Sequence, residues 1–263
     1  MTNKESKRIP AVLSIAGSDP SGGAGIQADL KTFQHFGVYG MAAVSLLTVQ
    51  NTLGVQEVLV IHPEKIKAQI RAVLEDIKPD AIKLGALGHG PAVMAVADAL
   101  KDYDGPIVSD PVMLAKNGAP LLVKEALEIY KQKILPLVFL VTPNINEAEK
   151  LSGQKIENQN DMKKAAEIIF KLGAKNVLVK GGHLEGDEAI DLLFADGKSE
   201  TFKAPKIISQ NTHGVGCTLA SAIASGIALG LTLNSAVTEA KKYVTQAIQN
   251  APHLGHGQGP IQH

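Results

Sequence analysis

The residues best suited to chemistry lie in Asn211-Thr212-His213-Gly214-Val215-Gly216-Cys217-Thr218-Leu219. Two glycines precede the sole cysteine of the sequence, and a small and apolar run, Leu219 to Leu229, follows and ends at Gly230. This order predicts a glycine-bearing turn that opens into a buried helix. A helix start offers unpaired backbone N–H groups and the positive end of the dipole, so it suits an anion. Gly214 and Gly216 would let the backbone approach that anion closely. Cys217 falls in the first turn, where the same field favours thiolate. The expected chemistry is an anion hole with a thiol at its lip. The plainer alternative is a tight turn before a helix that buries a small cysteine. His213 can serve as an acid–base group, but the favoured reading is that it fixes the backbone of the turn.

Other unusual residues follow apolar runs. Gly17-Ser18-Asp19-Pro20-Ser21-Gly22-Gly23-Ala24-Gly25 comes after the first run. Gly23-Ala24-Gly25-Ile26-Gln27-Ala28 matches the dinucleotide pattern G-x-G-x-x-A. However, Pro20 and its neighbours separate strand from glycines, and the second run ends at Gln50-Asn51 rather than at an acidic residue for a ribose. The loop is therefore expected either to cap its helix or to close over a small substrate. Gln50-Asn51-Thr52 is read first as a strand-end turn; the alternative is that the Gln50 carboxamide, which offers a donor and an acceptor together, meets an aminopyrimidine edge. Asp110, in Ser109-Asp110-Pro111-Val112-Met113 ahead of Lys116-Asn117-Gly118, is a candidate for metal or phosphate work or a turn starter. In Thr142-Pro143-Asn144-Ile145-Asn146-Glu147, Asn144 and Glu147 stand three apart at a helix start. Their spacing fits a helix cap, or a carboxylate that organises Mg²⁺ through water. Lys180, in Lys180-Gly181-Gly182-His183, can reach nucleotide phosphates; the plainer alternative is an ordinary glycine turn. No G-x-x-x-x-G-K-[ST] occurs, so a P-loop is excluded. His253 and His256 lack other ligand types nearby, so no zinc site is expected.

The elements that must position these residues follow from periodicity. Ala11–Ala16, Val44–Val49, Ala81–Leu87, Ile107–Val112, Val138–Thr142 and Val177–Lys180 read as buried strands. Between them, Ala24–Phe36, Pro63–Ile77, Pro91–Lys101, Ala119–Ile134, Ile145–Leu151 and Asp161–Leu172 read as helices. The alternation predicts an α/β fold with a doubly wound, mostly parallel sheet flanked by helices on both faces. Ala189–Ala195 and Ser199–Ile208 form an expected meander about the Asp196-Gly197 turn. Helices over Gly216–Leu229 and Asn234–Asn250 close the chain, with irregular tails over 1–8 and 252–263. The 263 residues show no linker or repeat, so a single domain over 1–263 is expected. Lys+Arg and Asp+Glu both number 26, and Trp is absent. That balance offers nothing to steer nucleic acid or an anionic membrane. One cysteine excludes an internal disulfide and fits a reducing compartment. Met1 to Arg8 lacks a signal-peptide core, and no apolar stretch is long enough to span a bilayer. A soluble cytoplasmic protein is the expectation.

Taken in order, these motifs resemble the hydroxymethylpyrimidine/phosphomethylpyrimidine kinases of thiamine biosynthesis, within the ribokinase-like superfamily. The resemblance runs nearly end to end and adds Ile26-Gln27-Ala28-Asp29-Leu30-Lys31-Thr32-Phe33 to the segments above. It implies that ATP with Mg²⁺ phosphorylates 4-amino-5-hydroxymethyl-2-methylpyrimidine and then its monophosphate. It implies that Gln50 recognises the pyrimidine and that Gly17, Ala24 and Val112 line its pocket. Cys217 takes the place of the catalytic base, with Gly214 and Gly216 in the anion hole. Lys180, Asn144 and Thr212 fall to the nucleotide, and Asp110 and Glu147 to Mg²⁺. The resemblance also implies a homodimer.

The sequence departs from the family pattern twice. Gly85-Ala86-Leu87 stands where Gly-Met-Leu is usual, which would widen the pocket beside the ring. Val215 stands where the anion hole usually has Thr. Two rival readings share the fold: a pyridoxal/pyridoxine kinase, and a non-catalytic pyrimidine sensor. The sensor should have lost Cys217, Lys180 or the Asn144–Glu147 pair, and this chain keeps all of them.

Overall fold

A computed structural model describes residues 8–115, 118–182 and 186–263. Lys116, Asn117 and His183, named above, lie outside the described residues. The chain begins β1 (Ala11–Ser18), α1 (Gly25–His35), β2 (Tyr39–Asn51), β3 (Gly54–Val60), α2 (Pro63–Asp76), β4 (Ala81–Leu84), α3 (Gly90–Leu100) and β5 (Ile107–Ser109). It continues α4 (Lys124–Ile129), β6 (Leu140–Val141), α5 (Ile145–Ser152), α6 (Gln159–Lys171) and β7 (Asn176–Lys180). β8 (Glu188–Ala195), β9 (Lys198–Pro205), α7 (Val215–Ala228) and α8 (Leu233–Gln249) complete it.

The nine described strands form one sheet in the order β3-β2-β1-β4-β5-β6-β7-β8-β9. From β2 to β7 neighbouring strands run parallel, while β3, β8 and β9 are antiparallel. Parallel strands need crossovers, and the helices supply them on both faces. Strand order reverses between β1 and β4, which opens a crevice beyond their carboxyl ends. One face of the sheet packs Leu13, Ile15, Ile82 and Leu84 against α2 to α6. The other packs Val12, Ala81, Val108 and Leu178 against α1, α7 and α8.

The sequence reading missed β3. Its run Gly54-Val55-Gln56-Glu57-Val58-Leu59-Val60 lies at the edge of the sheet, and Gln56, Glu57 and Leu59 are exposed. A strand without a helix layer over it carries no continuous apolar run. The expected helix Ala119–Ile134 also differs. Residues 119–122 are extended because Leu121 N–H donates to Met113 O and Gly88 N–H donates to Leu121 O. α4 begins only at Lys124, then widens to a π turn over Tyr130–Ile134 and tightens to a 3₁₀ turn over Leu135–Leu137. The meander is as expected: Asp196 and Gly197 both have positive φ, 49° and 73°, as a two-residue hairpin turn requires.

Candidate active site

A cleft of about 670 Å³ lies at the carboxyl ends of β1, β4, β5 and β7. It brings together all twelve of the site residues expected from the sequence. Gly17 at β1, Gln50 at β2, Ala24 before α1 and Val112 after β5 line one end. Asp110, Asn144, Glu147 and Lys180 line the other. Thr212, Gly214, Gly216 and Cys217 also line it, at the start of α7.

Gly214 is the N-cap of α7, with φ 86°, and as a glycine it brings no side-chain cap to the helix start. A β-carbon on Gly214 would collide with the carbonyl oxygen of Gly23, so the turn needs glycine twice over, for conformation and for space. A β-carbon on Gly216 would lie 2.9 Å from Asp110 Oδ2 and 3.2 Å from Lys180 Nζ. The opening of α7 therefore abuts the charged groups at the ends of β5 and β7.

Those groups form a tight cluster. Lys180 Nζ donates to Asp110 Oδ1 at 2.6 Å, and both side chains are largely buried. Asn144 and Glu147 make a reciprocal cap at the start of α5: Asn144 Oδ1 accepts from Glu147 N–H at 2.9 Å, and Glu147 Oε2 accepts from Asn144 N–H at 2.8 Å. Burial pushes the Glu147 carboxyl up to about 7; Asp110 adds to the rise, and Lys180 and the backbone of Asn144 only partly offset it. Burial works against the Lys180 charge, yet Asp110 and Glu147 outweigh it and hold Lys180 above its ordinary value. Two buried carboxylates thus share one ammonium, and a cation placed between them would relieve their repulsion. No cluster of three acidic, His or Cys side chains that could hold a metal exists among the described residues. The donor set fits Mg²⁺, which keeps several waters and takes further ligands from bound phosphates.

Cys217 corrects one expectation. The helix field was expected to favour thiolate, but burial pushes the thiol up to about 11. Asp29 and Asp110 add to the rise, and Lys83 and the Gly25 backbone only partly offset it. Desolvation thus outweighs the pull of the neighbouring positive groups and disfavours the thiolate that the helix start would favour.

The family model described as phosphomethylpyrimidine kinase matches residues 19–262. The chain belongs to the phosphomethylpyrimidine kinase family. It is 45% identical over 260 residues to the hydroxymethylpyrimidine/phosphomethylpyrimidine kinase of Haemophilus influenzae, covering 97% of each chain. It is 46% identical over 254 residues to the thiamine biosynthesis bifunctional protein ThiED of Geobacter sulfurreducens, covering 96% of this chain and 52% of that one. The chain thus spans about half the length of that bifunctional relative. The pyridoxal kinase of Staphylococcus aureus, solved with AMP-PCP and pyridoxal, superposes with a TM-score of 0.90 at 36% identity, covering 98% of this chain and 94% of that one. The fold of this phosphomethylpyrimidine kinase family member is ribokinase-like, as expected.

Two parts of this family member's site escaped the sequence reading. Beneath Cys217, Lys83 Nζ donates to both oxygens of Asp29 at 2.8 Å, and neither side chain is exposed. Ser14 and Ser221 hydroxyls also donate to Asp29, at 2.6 and 2.7 Å. Burial opposes the Lys83 charge, but Asp29 outweighs it and raises Lys83 above its ordinary value. A signal existed: a lysine inside the apolar strand Ala81-Ile82-Lys83-Leu84 must have a buried partner. The second part is Asp19, which accepts from Ser21 N–H, Ser21 Oγ–H, Ala24 N–H and His213. Burial raises its carboxyl, but the His213 and Ser21 hydrogen bonds outweigh it and hold Asp19 below the usual carboxylate range. His213, read as a backbone group, instead places its ring between Asp19 and Gln50.

Proposed function

We propose that this chain transfers the γ-phosphoryl group of ATP to the hydroxymethyl oxygen of 4-amino-5-hydroxymethyl-2-methylpyrimidine, and then a second phosphoryl group to the monophosphate, for thiamine biosynthesis. The observation that carries the reading is one cleft with a glycine helix start and a Lys–carboxylate cluster at one end and Gln50 at the other. Phosphoryl transfer through a loose transition state needs alignment and charge neutralisation more than a strong base. Gly214, Gly216 and the first N–H groups of α7 would receive the moving phosphoryl oxygens. Lys180, released from Asp110, would meet the nucleotide phosphates, with Asn144 and Thr212 beside them. Asp110 and Glu147 would hold Mg²⁺, which when bound neutralises phosphate charge. Cys217, as a thiol, would orient the attacking hydroxyl, whose proton moves late in such a transition state. Gln50 would read the aminopyrimidine edge, with Gly17, Ala24 and Val112 as walls.

Incubation with Mg-ATP and the hydroxymethylpyrimidine, with products identified by mass, tests the reading. It expects the mono- and diphosphate; unchanged pyrimidine at full ATP occupancy would overturn it. One observation favours a second substrate. Ala86 lines the cleft, and its small side chain would leave room for a pyridine ring such as pyridoxal. Among the described residues no helix is long and apolar enough to cross a membrane. Leu47, Val49 and Leu59 on β2 and β3, with Leu53 at their turn, form an exposed apolar row at the sheet edge. This row supports a homodimer in which a second copy covers it.

A further inference from the structure

The ring end of the cleft contains a hydrogen-bond conflict whose resolution assigns a role to His213. Asp19 is held as a carboxylate, so it can only accept. Its Oδ2 lies 2.7 Å from His213 Nε2, and both side chains are buried. Nε2 of His213 must therefore carry a proton and donate to Asp19. Yet Gln50 Nε2, also a donor, lies 3.2 Å from the same ring nitrogen. Donor meets donor. A second conflict sits at the far side of the amide. Thr48 has one hydroxyl proton and two acceptors, Ser18 O at 3.0 Å and Gln50 Oε1 at 3.1 Å.

A half-turn of the Gln50 carboxamide, which exchanges atoms of nearly equal size, removes both conflicts at once. Oε1 then accepts from His213 Nε2–H, shared with Asp19. The NH₂ group donates to Thr48 Oγ1, whose own proton goes to Ser18 O. We infer that the Asp19–His213 pair and Thr48 lock the Gln50 amide in this one orientation and thereby set which ring substituents the kinase accepts.

The locked amide keeps one acceptor lone pair on the His213 side and one N–H on the Thr48 side. That order fits a ring with an amine donor beside a ring-nitrogen acceptor. It rejects the 4-oxo counterpart, in which the ring nitrogen carries a proton and the oxygen accepts. An amide free to turn would bind both. His213 and Thr48 are thus positioning residues that act through Gln50. The inference rests on the pyrimidine kinase reading above.

The test measures kcat/KM with Mg-ATP for the 4-amino substrate and for its 4-oxo analogue, on the full chain. The wild type should favour the amine by about a thousandfold, since a site built around a fixed donor–acceptor order strongly rejects the reverse. His213→Leu should bring the two substrates within about tenfold, chiefly through KM, because the amide can then turn. His213→Gln, whose side-chain N–H can still donate, should restore most of the preference. Thr48→Val, at the other end of the amide, should lower the preference about tenfold and gives a second reading if the 213 variants fold poorly. A preference unchanged in His213→Leu and Thr48→Val, or an equal fall for both substrates, would overturn the inference while leaving the kinase reading intact. Turnover of neither substrate by the wild type would instead sink both.

Discussion

The two ends of the cleft are built on opposite plans. At the ring end Asp19 is saturated by four donors and lies below the usual carboxylate range. At the phosphate end Glu147 is pushed up toward neutrality beside Asp110, and one ammonium serves both carboxylates. Satisfied groups fix shape, while under-compensated ones await a charged ligand. The ring end should therefore govern which substrate binds, and the phosphate end how fast it reacts.

Breaking the phosphate end should cost most. Gly216→Val puts a side chain against Asp110 and Lys180, and turnover should fall by about a thousandfold with the fold retained, checked by steady-state rate and thermal melting. Lys180→Met leaves Asp110 and Glu147 without their ammonium; kcat should fall by about a hundredfold or more, with the larger loss at low Mg²⁺. Cys217→Ala should lower kcat by about a hundredfold and leave ATP affinity unchanged in a binding titration. Unchanged turnover would remove Cys217 from the mechanism.

The Cys217 thiol also has a pH signature. Only thiolate reacts with iodoacetamide, and the thiol sits near 11. Alkylation should therefore be slow at neutral pH and still rising above pH 9; a plateau below pH 8 would show that the helix field wins after all. At the ring end, Gln50→Ala should raise KM for the pyrimidine by about tenfold with little change in kcat, which would sharpen the division of labour.

Much of this plan was legible in the sequence. Gly214 and Gly216 before an apolar run announced the start of α7, and Asp110 and Lys180 stood where strand runs end. Those signals are local, carried by spacing along a few residues. What stayed hidden is pairing at a distance. Lys83 and Asp29 lie 54 residues apart, and His213 and Asp19 lie 194 apart. Such contacts are set by the strand order rather than by any local pattern. The thiol of Cys217 was misjudged because helix position is written in the sequence, whereas burial among Asp29, Asp110 and Lys83 is not. β3 was missed because an edge strand carries mixed polarity.

The division between the two ends is tested most directly by one competition experiment. The purified protein is given limiting Mg-ATP with equal amounts of the hydroxymethylpyrimidine, its monophosphate and pyridoxal, and the products are separated by mass. Gln50 as the selecting group predicts that pyrimidine mono- and diphosphate dominate, with little pyridoxal phosphate. Pyridoxal phosphate as the main product would contradict this and shift substrate choice to the space beside Ala86.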